Sequence, residues 1–390
     1  MSLIRVALVG LSSSAKVIWA ADAHLPYLLS TFGKRHYQIV ALLNSSVDAA
    51  VSAKRFFKLP DGVKAYGDPQ ALAEDPDIDL IVVNTRADVH FSVAEPSIRS
   101  GKAVYIEWPL TESLETSVRL TKQLSAPSNT LIGLQGRVAP ITLRLKELLS
   151  SGIIGQVLSS EVHAYGNLLH RDSLPESLTY FADRKVGGHP INIHYGHMID
   201  YVHEVLGDWE EFDAKMQIQR PELKVLGKEG AIIGTIRSDV PDFLSVHGTL
   251  ASNNGVSVTG ATLVATFRLG PPFKGDPGLI WTIAGQVGEL RVKAPGPYLM
   301  SGDSYEGPII IEHHDHVTDQ VKELGWDWPA WQKELPLRAR SVAEMYERYA
   351  EWVEGGRGSV QRGREWARLE DGVKLMREFE GLYKYYDQSW

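Results

Sequence analysis

From Ile4 to Leu134 short apolar strands alternate with helix-like segments, and that alternation leaves few folds open. Residues 4–10 (IRVALVG) form a β-branched apolar run ending in Gly, the pattern of a strand buried on both faces. A Ser-rich turn and a helical pattern over Lys16–Leu29 follow. The pairing then recurs. Strand Tyr37–Leu43 precedes helix Val47–Phe57, and a short strand lies near Val63–Tyr66. Strands Asp79–Val83 and Ala103–Glu107 each lead into a helix, and Thr130–Leu134 ends the series. Strands joined this way run parallel, helices cover both faces, and chirality fixes the crossover hand. The first domain, 1–136, is therefore expected to be an α/β doubly wound parallel sheet.

The remainder, 137–390, loses that rhythm. Residues 140–151 have helical spacing and stop at Gly152, and Gln156–His163 reads as a strand. Between 209 and 311 come AKMQIQ, DFLSVHGTL, VSVTGATLVATFRL, IWTIAG, GELRV and PIIIEH, separated by Gly, Pro and Asn. Such runs predict an α+β domain with one large mixed, mostly antiparallel sheet. Two closing helices, Ala339–Glu354 and Glu365–Tyr386, are expected to pack back on the first domain. A chain of 390 residues suits two domains with cores of their own. It has no cysteine, which excludes a disulfide scaffold, a thiolate zinc site and a thiol nucleophile. A net charge of −8 argues against direct nucleic-acid binding. No apolar run reaches the roughly 18 residues of a membrane span. The N-terminus, MSLIRVALVG, lacks signal-peptide organisation, so a cytoplasmic or nuclear protein is expected.

A doubly wound sheet binds its ligand at the carboxyl ends of the strands, first of all at the turn after the opening strand. Here that turn is Gly10-Leu11-Ser12-Ser13-Ser14-Ala15. The first glycine of a Rossmann dinucleotide fingerprint is present, Ser12 stands at the second, and Ala15 is a tolerated third. Gly10, Ser12, Ser13 and Ser14 are thus candidate cofactor contacts, with the pyrophosphate expected on backbone amides. The second strand ends in Asn44-Ser45-Ser46 instead of the acidic residue that holds an adenosine 2′-hydroxyl. Without a carboxylate to repel a 2′-phosphate, Asn44 and Ser45 favour NADP over NAD. Two more strand ends carry Asn84-Thr85, with His90 five residues after the Thr, and Glu107-Trp108-Pro109.

A strand ending in Thr, a His five residues on, and a later strand ending Glu-x-Pro resemble the glucose–fructose oxidoreductase/inositol dehydrogenase (Gfo/Idh/MocA) family. The resemblance covers essentially the whole chain. It includes Gly136-Arg137…Pro140, Gly196-His197…Asp200 and Gly285…Gly288-Glu289-Leu290. It implies a Rossmann domain followed by a mixed-sheet domain, a dinucleotide cofactor, and a substrate hydroxyl deprotonated by a Lys from Glu-Lys-Pro. It also implies an Asp four residues before the position of His197. This chain has Trp108 and Ile193 at those two places. Neither titrates, so the usual proton-moving pair is missing. The galactose-regulon repressor branch of fungi is similar in that respect. It also shares strings such as Leu134-Gln135-Gly136-Arg137, Gly196-His197-Met198-Ile199-Asp200 and His247-Gly248-Thr249-Leu250, and a Ser-rich turn followed by Trp19 and His24.

Two readings remain open at the level of sequence. In one, the chain is an NAD(P)-binding regulator, recognising a protein partner or a small sugar-like ligand. In the other, it is an active NAD(P)-dependent oxidoreductase on a sugar or other secondary alcohol, with His197 or Tyr195 as acid–base group. Trp19 and Trp108 are candidates to stack on the nicotinamide; Arg137 and His194 are candidates for the ligand pocket. The run Glu312-His313-His314-Asp315-His316 is read as holding no metal, because successive residues of a strand point to opposite faces. A half-polar sheet face bearing Ser257, Thr259, Thr262 and Ala265 predicts a homodimer through the second domain.

Overall fold

The apolar runs of the first half pair as one parallel sheet in a computed structural model that describes residues 2–14, 19–251, 255–301 and 307–388. Its strands are β1 (Ile4–Val9), β2 (Tyr37–Leu43), β3 (Lys64–Tyr66), β4 (Leu80–Val83), β5 (Ala103–Ile106) and β6 (Thr130–Ile132). They lie in the order β3-β2-β1-β4-β5-β6, all parallel. Every residue of β4 and β5 is buried, as a sheet covered on both faces requires. Around it run α1 (Leu25–Leu29), α2 (Val47–Phe56), α3 (Pro69–Glu74), α4 (Ala87–Arg99) and α5 (Leu114–Thr121). Ser46, Asp68 and Ser113 accept backbone N–H groups at the starts of α2, α3 and α5, satisfying donors that a helix cannot pair internally.

The helix expected over Lys16–Leu29 takes another form. Residues 15–18, Ala15 included, lie outside the described set. Ala20–His24 winds as a π turn, with the Leu25 N–H reaching back to the carbonyl of Ala20, before α1 begins.

The chain divides into two compact units that are discontinuous in sequence. The first gathers residues 1–138, 185–187 and 329–377; the second gathers 139–184, 188–328 and 378–390. Within the first unit, α9 (Leu337–Glu354) follows the short α8 (Ala330–Lys333), and α10 (Leu369–Gln388) begins. Tyr346 of α9 stacks on Tyr27 with ring centres 5.3 Å apart, and its carbonyl accepts from the Tyr37 hydroxyl at 2.7 Å.

In the second unit α6 (Pro140–Ser150) and α7 (Gly196–Leu206) accompany two sheets. The larger contains β7 (Val157–Gly166), β9 (Trp209–Gln217), β12 (Phe243–Leu250), β13 (Ser257–Leu269), β14 (Leu279–Gly285), β15 (Gly288–Ala294), β16 (Ile310–Asp315) and β17 (Gln320–Leu324). Its order is β17-β16-β15-β14-β7-β13-β12-β9, antiparallel except where β7 meets β13. One face is apolar: Phe267 and Trp281 are buried and take the rings of Tyr195 and Tyr201. The other exposes Glu161, His163 and Arg291. Residues 257–265 do not all share that open face. A register shift falls between Ser257 and Thr262, where Gly260 takes a φ of +79°. Thr259 and Thr262 are exposed, while Ser257 and Ala265 are buried. A second sheet of β8 (Ser173–Pro175), β10 (Glu222–Leu226) and β11 (Ile232–Arg237), in the order β11-β10-β8, has no counterpart in the sequence reading. Among the described residues, no helix is long and apolar enough to cross a membrane.

Candidate functional site

Strand order reverses between β1 and β4, so the switch point of the first sheet lies at their carboxyl ends. Gly10 leaves β1 there with a φ of +83°, a conformation that favours glycine. A Cβ on Gly10 would lie 2.8 Å from the Asn84 carbonyl oxygen. A larger residue would therefore strain the chain before it met a phosphate. Asn44 donates from Nδ2 to the Leu11 carbonyl at 2.9 Å, tying the end of β2 to the turn, and the Ser14 N–H donates to Ser12 Oγ at 3.2 Å. Asn44 Oδ1, Asn84 Oδ1 and Thr85 Oγ1 are buried without a hydrogen-bond partner among the described residues, as is Trp19 Nε1. Buried polar groups are nearly always paired in native structures. Three such atoms at the ends of β2 and β4, around a side-chain-free glycine, fit a polar ligand at this turn. No carboxylate stands at Asn44, Ser45 or Ser46.

Other residues of the same unit act as braces. His90 is fully enclosed: Nε2 lies 2.9 Å from the Thr85 carbonyl, and Nδ1 lies 3.0 Å and 3.2 Å from those of Pro109 and Leu110. A neutral imidazole has one N–H, so it bonds one side only. Burial holds its pKa below the ordinary value. His90 thus packs between the ends of β4 and β5, bonded to one of them, and offers no ring nitrogen to a cofactor. Glu107 is held by His24, whose Nε2 lies 2.9 Å from Oε1, while His24 Nδ1 lies 2.8 Å from the Tyr346 hydroxyl. With Tyr346 donating to Nδ1 and Nε2–H donating to the carboxylate, a neutral His24 satisfies both neighbours. A Cβ on Gly133 would collide with the same carboxylate, so glycine there makes room for it. Trp108 is 5% exposed. Arg137 forms an ion pair with Asp371 at 2.8 Å, so its charge is already balanced.

In the second unit Ile191–Tyr195 forms another π turn, continuous with α7. His194 lies edge-on to Tyr298 at 5.3 Å, with Phe181 and Phe267 further out. Its Nδ1 has no hydrogen-bond partner among the described residues. Gly166 leaves it space, since a Cβ there would stand 3.3 Å from that nitrogen. Burial, followed by the charge of His197, pushes the His194 pKa down to about 3. His189 is likewise pushed down to about 3, by burial and then by Arg184 and His194. His197, one turn beyond His194, also lies edge-on to Tyr298, at 6.0 Å. Tyr195 belongs to the core instead: its ring meets Phe267 and Phe379, and its hydroxyl faces Glu378 at 3.5 Å. Burial raises its pKa well above the ordinary phenol value, so an acid–base role for Tyr195 does not fit. Ile193 brings no titratable group to this cluster.

Sequence reasoning missed the partnership of His24 with Tyr346. Those residues are 322 positions apart, and no local pattern joins them.

A parallel sheet in this order, with a glycine turn and unpaired polar atoms at its switch point, defines an NAD-binding oxidoreductase-type fold. Residues 4–132 match the oxidoreductase family with NAD-binding Rossmann fold, and residues 140–294 match the C-terminal domain of Gal80p. The chain belongs to this oxidoreductase family, with a second half of the Gal80p type. Dehydrogenase aclE of Aspergillus oryzae is 29% identical over 300 residues, 75% of this chain and 77% of that protein. The galactose/lactose metabolism regulatory protein GAL80 of Saccharomyces cerevisiae is 27% identical over 300 residues, 74% of this chain and 66% of that protein. The chain therefore spans just under two thirds of the regulator. A crystal structure of a super-repressor mutant of Gal80p from that yeast superimposes with a TM-score of 0.85 at 23% identity, covering 100% of this chain and 97% of the other.

Proposed function

We propose that this chain is a dinucleotide-binding regulator built on an oxidoreductase frame, which binds its cofactor without oxidising a sugar. Trp108 carries the reading. It is buried where active members of the family place a lysine, and an indole neither takes up nor releases a proton near neutral pH. Ile193 supplies no carboxylate, and imidazoles with a pKa of about 3, as at His189 and His194, are weak bases. Gly10, Ser12, Ser13, Ser14, Asn44, Asn84 and Thr85 would hold the dinucleotide, which supplies a hydride acceptor when bound. The carboxylate-free end of β2 supports NADP over NAD. By analogy with the yeast regulator, the partner is a regulatory protein, and the open sheet face supports a homodimer in the cytoplasm or nucleus.

The second reading, an active oxidoreductase on a sugar or secondary alcohol, has its own support: one relative is named a dehydrogenase, and His197 keeps the family position. Calorimetry with NADP and NAD, followed by turnover assays on sugars and secondary alcohols, tests both. The regulator should bind NADP more tightly and show no turnover. Ser13→Glu, at an exposed position, should weaken binding at least tenfold without unfolding the chain. Robust turnover that disappears in His197→Ala would overturn the regulatory reading. General acid–base help is typically worth about 10²–10⁴ in rate, and groups that act as a unit are not additive. Trp108→Lys alone should therefore stay inactive, and only its combination with Ile193→Asp should gain activity.

A further inference from the structure

We propose that the β15–β16 pair, at its end beside the β16–β17 turn, binds one divalent transition-metal cation of the zinc class, through Glu289, His314 and His316. Glu289 and His314 are directly opposed across this antiparallel pair. His316 lies two residues beyond His314, and a period of two returns it to the same face. The strand's alternation, which separates His313 and Asp315 from this set, thus keeps two imidazoles together, and the neighbouring strand adds the carboxylate. One ligand atom from each residue lies within 4.8 Å of the others. His316 Nε2 is 3.8 Å from Glu289 Oε1, and the two imidazoles stand 5.1 Å apart with planes at 76°. Nitrogen and oxygen ligands sit about 2.0–2.2 Å from zinc, so small side-chain rotations close the set around an ion.

The surroundings favour a cation. Asp319 Oδ1 lies 2.9 Å from His314 Nε2, giving this imidazole the carboxylate neighbour that metal-bound histidines usually have. Arg291 and Lys293, on the same face, are both drawn to Glu312, at 2.7 Å and 2.9 Å. Backbone bonds hold the turn: His316 N–H donates to the Val287 carbonyl at 3.1 Å, and the Val317 and Thr318 N–H groups donate to Asp315 Oδ1. Two imidazoles and a carboxylate suit Zn²⁺, Co²⁺, Ni²⁺ or Cu²⁺ over Mg²⁺ and Ca²⁺, which prefer oxygen alone. All three side chains are partly exposed, so an ion reaches them from solvent.

The test uses the full chain stripped with a chelator. Calorimetric titration with zinc chloride should give one site per chain, and zinc should raise the melting temperature. The double variant His314→Ala/His316→Ala should lose that site and that thermal shift, and Glu289→Gln should bind at least tenfold more weakly. Cobalt chloride should produce a visible ligand-field band in the wild type that the double variant lacks. Should the double variant not fold, His316→Asn alone supplies the comparison. Equal zinc binding by wild type and variants, or no binding by the wild type at 100 µM zinc, where a site of roughly zinc-peptide affinity would be filled, overturns the proposal.

Discussion

Among the described residues, two helices begin with a π turn, one in each unit, and each turn buries a histidine. π turns recur at functional sites, yet these two histidines stand in opposite states. His24 has both nitrogens engaged, one by Tyr346 and the other by Glu107. His194 lies among aromatic rings with Nδ1 unpartnered among the described residues. The same residue in the same local device therefore meets two different surroundings. A fully bonded buried group fixes its surroundings, whereas an unpaired one lowers stability.

Breaking the first arrangement should have the largest effect. His24→Leu leaves a buried carboxylate at Glu107 and a buried hydroxyl at Tyr346 without their partner. Leaving a buried group without its hydrogen-bond partner costs about 1–3 kcal/mol, more for a carboxylate, so the loss, read from urea unfolding, should be about 3 kcal/mol. A loss below 1 kcal/mol would show that Glu107 finds solvent, and that His24 is no brace.

The second arrangement should show itself through pH. His189 and His194 have folded pKa values of about 3 against ordinary values of 6.5, so the unfolded chain takes up these protons first. Stability should be constant with respect to them above pH 6.5 and fall as pH drops towards 3. The slope is at most about 1.4 kcal/mol per pH unit for each imidazole. His194→Leu should remove one such contribution, and an unchanged acid slope in this variant would contradict its burial as a neutral base. The smallest effect is expected for His194→Leu at pH 8. An unpaired nitrogen is replaced by a side chain suited to apolar surroundings, so stability should move by less than about 1 kcal/mol, in either direction. Ligand affinity, followed separately by calorimetry, should fall.

The contrast also explains what the sequence could disclose. Strands β1, β2, β4 and β5 were legible because sheets buried on both faces leave continuous apolar runs. The strand β11 was not, since nearly all of Ile232–Arg237 is exposed and carries no burial rhythm. β17, with four exposed residues in Gln320–Leu324, was hidden for the same reason. Gly10, Asn44 and Asn84-Thr85 stand out in the sequence from their place after strands. His90 and Arg137 stand out too, but their packing against Pro109, Leu110 and Asp371 is something only tertiary structure supplies. The grouping of Glu289 with His314 and His316 needed the cross-strand register. Alternation along one strand was correctly read, yet it could not show what the next strand contributes.

The discontinuity of the first unit has a consequence in time. Its sheet is complete in sequence by residue 138, but Tyr346 comes from the stretch 329–377. At 5–20 residues per second, that stretch emerges from a ribosome on the order of 10–50 s after the sheet. Throughout that interval the oldest part of the chain lacks the hydroxyl that completes the His24–Glu107 chain and the ring that stacks on Tyr27. The unit that starts first therefore stays unfinished until most of the second has been made, and a nascent chain stalled before residue 329 would carry an open aromatic socket for whatever binds unfinished proteins.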